Sequence, residues 1–124
     1  MSIDQIISSL RFEYNVGKDF FMEIASIRAF KKLWFGMLEA YKIPDASYPY
    51  IHAITQSNQN EDQYMNMVTA TTQTMSAAIA GVNSIYILPS DNKNKTVEFS
   101  RRIARNVQHI LQSETYLNRV IDPA

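Results

Sequence analysis

Three times along this chain a short run with strand character is followed by a longer stretch whose apolar residues recur with helical period. Few features constrain a fold more, because repeated strand-helix units set consecutive strands side by side in parallel with the helices stacked on the sheet. The first unit opens with Leu10 to Val16, alternating apolar and polar residues before Gly17. Asp19 then precedes a helix with Phe20, Ile24, Ile27, Trp34, Leu38 and Tyr41 on one face, ending by Pro44. The second unit is Tyr48 to Thr55, with Pro49 at its start, then the polar loop 56–63 and an Ala-, Thr- and Met-rich helix from Glu61 or Asp62 to Ile79. Its expected stripe is Tyr64, Val68, Thr71, Met75, Ala78 and Ile79, with Gly81 as a left-handed cap. The third unit is Ser84 to Leu88, a nearly continuous apolar run closed by Pro89 and read as a strand covered on both faces. A hydrophilic loop, 90–95, leads to a helix with Val97, Phe99, Ile103, Val107, Ile110 and Leu111 inward. The fold class is therefore α/β, with three consecutive parallel βα units forming one domain over residues 1–124. Three such strands leave two open edges and one bare face, so the chain reads as a sector of something larger.

Composition removes whole function classes. Twelve basic residues balance twelve acidic ones, so no net field draws nucleic acid or an anionic membrane. No apolar run approaches the ~20 residues that span a bilayer, and no export signal opens the chain. Cysteine is absent, which excludes disulfides, thiolate nucleophiles and Cys-ligated metal, and is compatible with a cytoplasmic setting. With only three glycines there is no dinucleotide fingerprint, phosphate loop or nucleophile elbow. The two histidines, His52 and His109, form no metal-binding pair; His52 is either a hydrogen-bonded strand residue or a pocket residue. Arg101, Arg102 and Arg105 allow a phosphate clamp, but helical spacing turns Arg102 about 100° from the others, which favours salt-bridged structure.

Longer words carry a resemblance. Phe20-Phe21-Met22-Glu23-Ile24-Ala25, continued by Arg28-Ala29 and Leu33-Trp34, is similar to the long-helix signature of the cobalamin-dependent methylmalonyl-CoA mutase family. So are Phe99 to Gln108, the terminal Val120 to Ala124, and between them Asn66-Met67-Val68, Thr71 to Ala77 and Gly81 to Ser84. The resemblance covers nearly the whole chain in one order. It implies a partial (β/α)8 TIM barrel, an acyl-CoA substrate along the barrel axis, and adenosylcobalamin on a separate domain of the catalytic chain. A whole barrel takes about 250 residues, so this is less than half of one.

Departures from the family pattern decide the branch. Where catalytic members carry Arg-x-Ser before the first of these strands, this chain has Ser9 and Arg11. The family's Arg-x-His-x-Gln run becomes His52-Ala53-Ile54-Thr55-Gln56, keeping only the glutamine, and a later glutamine becomes Asn83. Gln56, Asn83 and His52 are thus the residues of a degenerate substrate site; no catalytic, cofactor-binding or metal-ligating residue is expected. The pattern Ser84-x-x-x-Leu88-Pro89 is similar to the small, non-catalytic subunit of heterodimeric mutases. The resemblance implies an isomerase subunit, inactive by itself, whose partner is the large catalytic subunit. The rival is an active acyl-CoA mutase or CoA-binding module, which needs Arg and His at Ser9 and Ile54. A bare sheet face carrying Tyr, Ile and Leu also predicts self-association of the isolated chain.

Overall fold

The computed structural model describes residues 3–43, 48–56, 62–90 and 97–119. In chain order these form α1 (Ile3–Ser9), β1 (Arg11–Val16), α2 (Phe20–Ala40), β2 (Tyr50–Thr55), α3 (Gln63–Ile79), β3 (Ser84–Tyr86), α4 (Val97–Ser113) and a 3-10 turn, Leu117–Arg119. The three strands make one sheet in the order β1-β2-β3, parallel throughout. This is the α/β arrangement of three βα units expected from the sequence, preceded by a short helix that the strand-helix pattern did not reveal. Pro44, residues 57–61 and 91–96, within which the expected loops fall, and the C-terminal 120–124 lie outside the described residues, as does the side chain of Val97.

Phe12, Tyr14 and Val16 alternate with polar neighbours, and this row meets α2 and α3. Phe12 sits edge-on to Phe30 at 4.9 Å and to Trp34 at 5.1 Å. Ile24, Ile27, Ile51 and Ala80 form one core cluster, and Val16, Ala53 and Ala77 another beside it. Side chains this small between sheet and helix let α3 lie close to the strands.

Three helix ends have identifiable causes, whereas Asp19, just before α2, makes no side-chain capping bond. α2 stops at Ala40 because Lys42 adopts φ 54, and the Ile43 N–H then bonds the Leu38 carbonyl at 3.1 Å. That left-handed turn acts before Pro44 is reached. Asp62 caps α3, accepting the Tyr64 N–H at 2.8 Å. At its other end Gly81, at φ 70, supplies the expected left-handed cap. Lys31 reaches across from α2 and donates to the Ala80 and Gly81 carbonyls at 2.6 and 2.9 Å, so a cation sits on the negative end of α3.

The expected helix stripes need correction. In α3 the buried residues are Asn66, Ala70, Gln73, Thr74, Ser76 and Ala77, whereas Tyr64 and Val68 are exposed. Thr69, Thr71 and Thr74 return their hydroxyls to carbonyls four residues back, which lets a threonine-rich helix bury polar side chains without orphaning those hydroxyls. α4 keeps part of its expected face, with Leu111 buried and Ile103 and Val107 half-buried, but Ser100 is buried where Phe99 and Ile110 were expected, and those two are exposed. Tyr41, expected on the inward face of α2, lies just past its end and is exposed. β3 is shorter than expected; beyond Tyr86 the chain is held by Thr55, whose hydroxyl accepts the Leu88 N–H at 2.9 Å.

Candidate functional site

Among the described residues the helices pack on one side of the sheet and no element covers the other, whose rows the register fixes. Arg11 lies beside Tyr50; Glu13 beside His52, which in turn lies beside Ser84; and Asn15 beside Ile54, which lies beside Tyr86. This corrects two expectations together. β3 is not covered on both faces, and the bare face is not an apolar patch, since Arg11, Glu13, Asn15, His52 and Ser84 interleave with Tyr50, Ile54 and Tyr86.

The polar groups on this face bond mainly to one another or to nearby backbone. His52 Nδ1 is 2.7 Å from Ser84 Oγ, and the Tyr50 hydroxyl donates to the same oxygen at 3.3 Å. Arg11 lies over the Tyr50 ring at 4.6 Å, and its Nη1 donates to the Ser8 and Leu10 carbonyls at 3.1 and 3.0 Å. Ser9 donates to the Ile6 carbonyl at 2.7 Å, closing α1. Arg11 and Ser9 therefore serve the local chain.

The three substrate-site residues read from the sequence do not converge. Asn83 lies just before β3 and brackets β2: its N–H bonds the Ile51 carbonyl at 3.0 Å, and its Oδ1 accepts the Ile51 N–H at 2.8 Å. His52 is in mid-sheet, bonded to Ser84. Gln56 follows β2 at the opposite end from Asn83, exposed, with its N–H on the Val16 carbonyl at 3.2 Å. The rise of a strand puts the Ile51 and Gln56 levels roughly 16 Å apart. Such a spread suits contacts strung along a strand direction, not one compact pocket.

The sequence did not reveal the bonded set Arg11, Tyr50, His52 and Ser84. Its signal was the shared parity of Arg11 and Glu13 with Tyr50 and His52, which becomes legible only once the strands are in register. A second group missed is at the β1-α2 turn, where the Tyr14 hydroxyl donates to Glu23 Oε2 at 2.9 Å. Burial raises the Tyr14 pKa above its usual 10.0 and the Glu23 carboxylate adds to this, while a bond with Ser26 opposes it. A Cβ on Gly17 would come within 2.6 Å of Glu23 Oε1, so a side chain here would push the Glu23 carboxylate aside.

Two of the surface concavities among the described residues border β3 or α4. One of about 330 Å³ lies between α3, β3 and α4, lined by Thr74, Val82, Asn83, Gln108 and Leu111 among others. Another, of about 520 Å³, is lined by Glu98, Phe99, Arg101, Arg102 and Arg105. Arg102 lies over the Phe99 ring at 5.5 Å. The salt-bridged role expected for these arginines is not what the structure shows: no carboxylate among the described residues pairs with them.

A cobalamin lower ligand requires an accessible histidine beside a glycine-rich loop. His52 lies within β2 and His109 within α4, and neither of these regular elements opens onto a glycine loop, since Gly17, Gly36 and Gly81 adjoin neither histidine in the chain. The residues present do not fit that group.

Fold and site define an α/β chain of consecutive parallel βα units. This chain belongs to the methylmalonyl-CoA mutase family, whose profile matches residues 1–124. It is 39% identical over 98% of its length to the methylmalonyl-CoA mutase small subunit of Porphyromonas gingivalis, covering 21% of that protein. It is 38% identical over 99% of its length to methylmalonyl-CoA mutase of Cereibacter sphaeroides, covering 18% of it. With the methylmalonyl-CoA mutase large subunit of Propionibacterium freudenreichii it shares 34% identity over 99% of its length, again covering 18%. The chain thus spans about a fifth of the length of these curated relatives.

Proposed function

We propose that this chain is a sector of a mutase small-subunit (β/α)8 barrel, cytoplasmic and non-catalytic, that pairs with and stabilises a large catalytic subunit. The reaction it supports is the interconversion of methylmalonyl-CoA and succinyl-CoA, with adenosylcobalamin held by that partner. The observation that carries this reading is the uncovered sheet face. At the position where the family resemblance places a histidine donor stands Ile54, which offers no hydrogen bond to a thioester oxygen. Around it, His52, Ser84, Tyr50 and Arg11 satisfy one another or the local backbone. Asn83, in the place of a substrate glutamine, spends its side chain on Ile51. The subunit names among the relatives, small and large, support a paired assembly.

The test is to assay mutase turnover with the chain alone, with a large subunit alone, and with both, each supplied with adenosylcobalamin. The chain alone is expected to be inactive, and the mixture to form a complex whose turnover is unchanged by Gln56→Ala. Turnover by the chain alone, lost in Gln56→Ala, would overturn the proposal.

A further inference from the structure

The register sets one residue from each strand in a line across the bare face of the sheet: Glu13 on β1, His52 on β2 and Ser84 on β3. A carboxylate, an imidazole and a hydroxyl in that order are the parts of a nucleophilic relay, in which the acid holds the base and the base takes the proton of the hydroxyl. The contacts fit those roles. Ser84 Oγ is 2.7 Å from His52 Nδ1, the separation of a nucleophile from its base. The Tyr50 hydroxyl donates to the same Oγ at 3.3 Å, so the serine's own hydrogen is left for Nδ1 and the imidazole hydrogen falls on Nε2. Glu13 stands one strand spacing, about 4.8 Å, to the other side of His52, where a carboxylate can hold that Nε2–H. His52 and Ser84 are half-buried and Glu13 is exposed, so a small molecule reaches all three. A structural contact accounts for one hydrogen bond between strands; it gives no reason for an acid, a base, a hydroxyl and a phenol donor to share one row.

We propose that Ser84 is a nucleophile acylated by small activated carboxylic esters, with His52 as its general base, Glu13 as the positioning residue that fixes the imidazole, and Tyr50 as the oxyanion donor. Ser84 Oγ attacks the carbonyl carbon while its proton passes to His52 Nδ1. The tetrahedral adduct carries its oxyanion beside the Tyr50 hydroxyl, and Arg11, over the Tyr50 ring at 4.6 Å, adds positive charge there. The carbon–oxygen bond to the leaving group then breaks, its electron pair departs with that oxygen, and the proton on Nδ1 goes to it. Water, deprotonated by the same nitrogen, attacks the acyl-serine, releases the carboxylic acid and restores the hydroxyl. The shelf is open to solvent and supplies little binding energy, which suits short acyl groups on good leaving groups. Ile54 follows His52 on the side away from Tyr50, so this chemistry uses the polar end of the row. It is separate from the mutase reaction and does not depend on the assignment to a small subunit.

The full chain is incubated with p-nitrophenyl acetate, and phenolate release is followed beside mass mapping of the acetylated residue. Release with the acetyl group on Ser84 is expected, together with blockage by a fluorophosphonate that labels the same hydroxyl. Ser84→Ala and His52→Gln are each expected to lower the rate by about a hundredfold. Glu13→Ala lowers kcat by roughly tenfold with KM unchanged, while Glu13→Asp retains activity. Circular dichroism checks each variant, and for one that loses its fold the acetyl and fluorophosphonate positions in the native chain decide. Acetyl groups confined to lysines, tyrosines or His109, release unchanged in Ser84→Ala, or a fluorophosphonate that leaves Ser84 unlabelled overturns the proposal. Acetylation of Ser84 indifferent to Glu13→Ala overturns the role of the acid.

Discussion

Lys31 shows how much structure one side chain can hold without leaving a trace in local sequence. Its ammonium joins α2 to carbonyls 49 and 50 residues away. Charged donors on carbonyls at a helix C-terminus are among the stronger single contacts. Replacing it with methionine keeps the stem and removes the bonds, so Lys31→Met is expected to lower stability by about 1–3 kcal/mol in urea melts at constant slope. Gly81, by contrast, was legible, because a glycine directly after a helix-period run has few other reasons to be there. Tyr14 has a pH consequence. Its folded pKa lies above its usual value, so the stabilising protonated form is fully present below pH 10.0 and its contribution is lost as pH rises beyond that. Stability is expected to fall above pH 10 in the native chain, and less steeply in Tyr14→Phe. Identical alkaline slopes for the two would contradict the assignment.

Among the elements, existence and order were readable while helix rotation was not. The period-2 run before Gly17 and the 3.6-period stretch after Asp19 fix β1 and α2, since few alternatives share those patterns. α3 misleads because its buried face is small and polar, with Ala70, Gln73, Thr74 and Ala77, while the larger Tyr64 and Val68 face outward. A stripe chosen by apolar size then lands on the wrong side. The same burial leaves both amide atoms of Gln73 without a partner. Gln73→Met removes those unpaired groups at similar volume and is expected to stabilise the fold by about 1 kcal/mol, read as a higher urea midpoint. Loss of stability would mean that the amide is satisfied in solution. The end of α2 offers a parallel case, where Lys42 occupies a left-handed turn that glycine adopts without a Cβ penalty. Lys42→Gly is expected to raise stability by about 0.5–1 kcal/mol, against the usual direction for a glycine substitution.

At the scale of the whole molecule, the sequence words led to the right family and the right parallel order, because βα units in series admit few topologies. What they missed is the character of the bare sheet face. Ser84 to Leu88 is apolar as a string, but only Tyr86 and Ser84 of β3 face that side, and the register sets polar residues of β1 and β2 beside them. A mixed face of this kind is a weaker drive to association than the apolar patch expected from the sequence. It also governs what the sheet can bind. A thioester laid against Ile54 loses water and gains no donor, a penalty of about 1–3 kcal/mol in addition to breaking the bond between His52 and Ser84. The most direct measurement of the account's central claim is a calorimetric titration of this chain with methylmalonyl-CoA. The account predicts no heat beyond dilution, for both the native chain and Gln56→Ala. Micromolar binding that disappears in Gln56→Ala would contradict it and restore a substrate-holding role to this sheet.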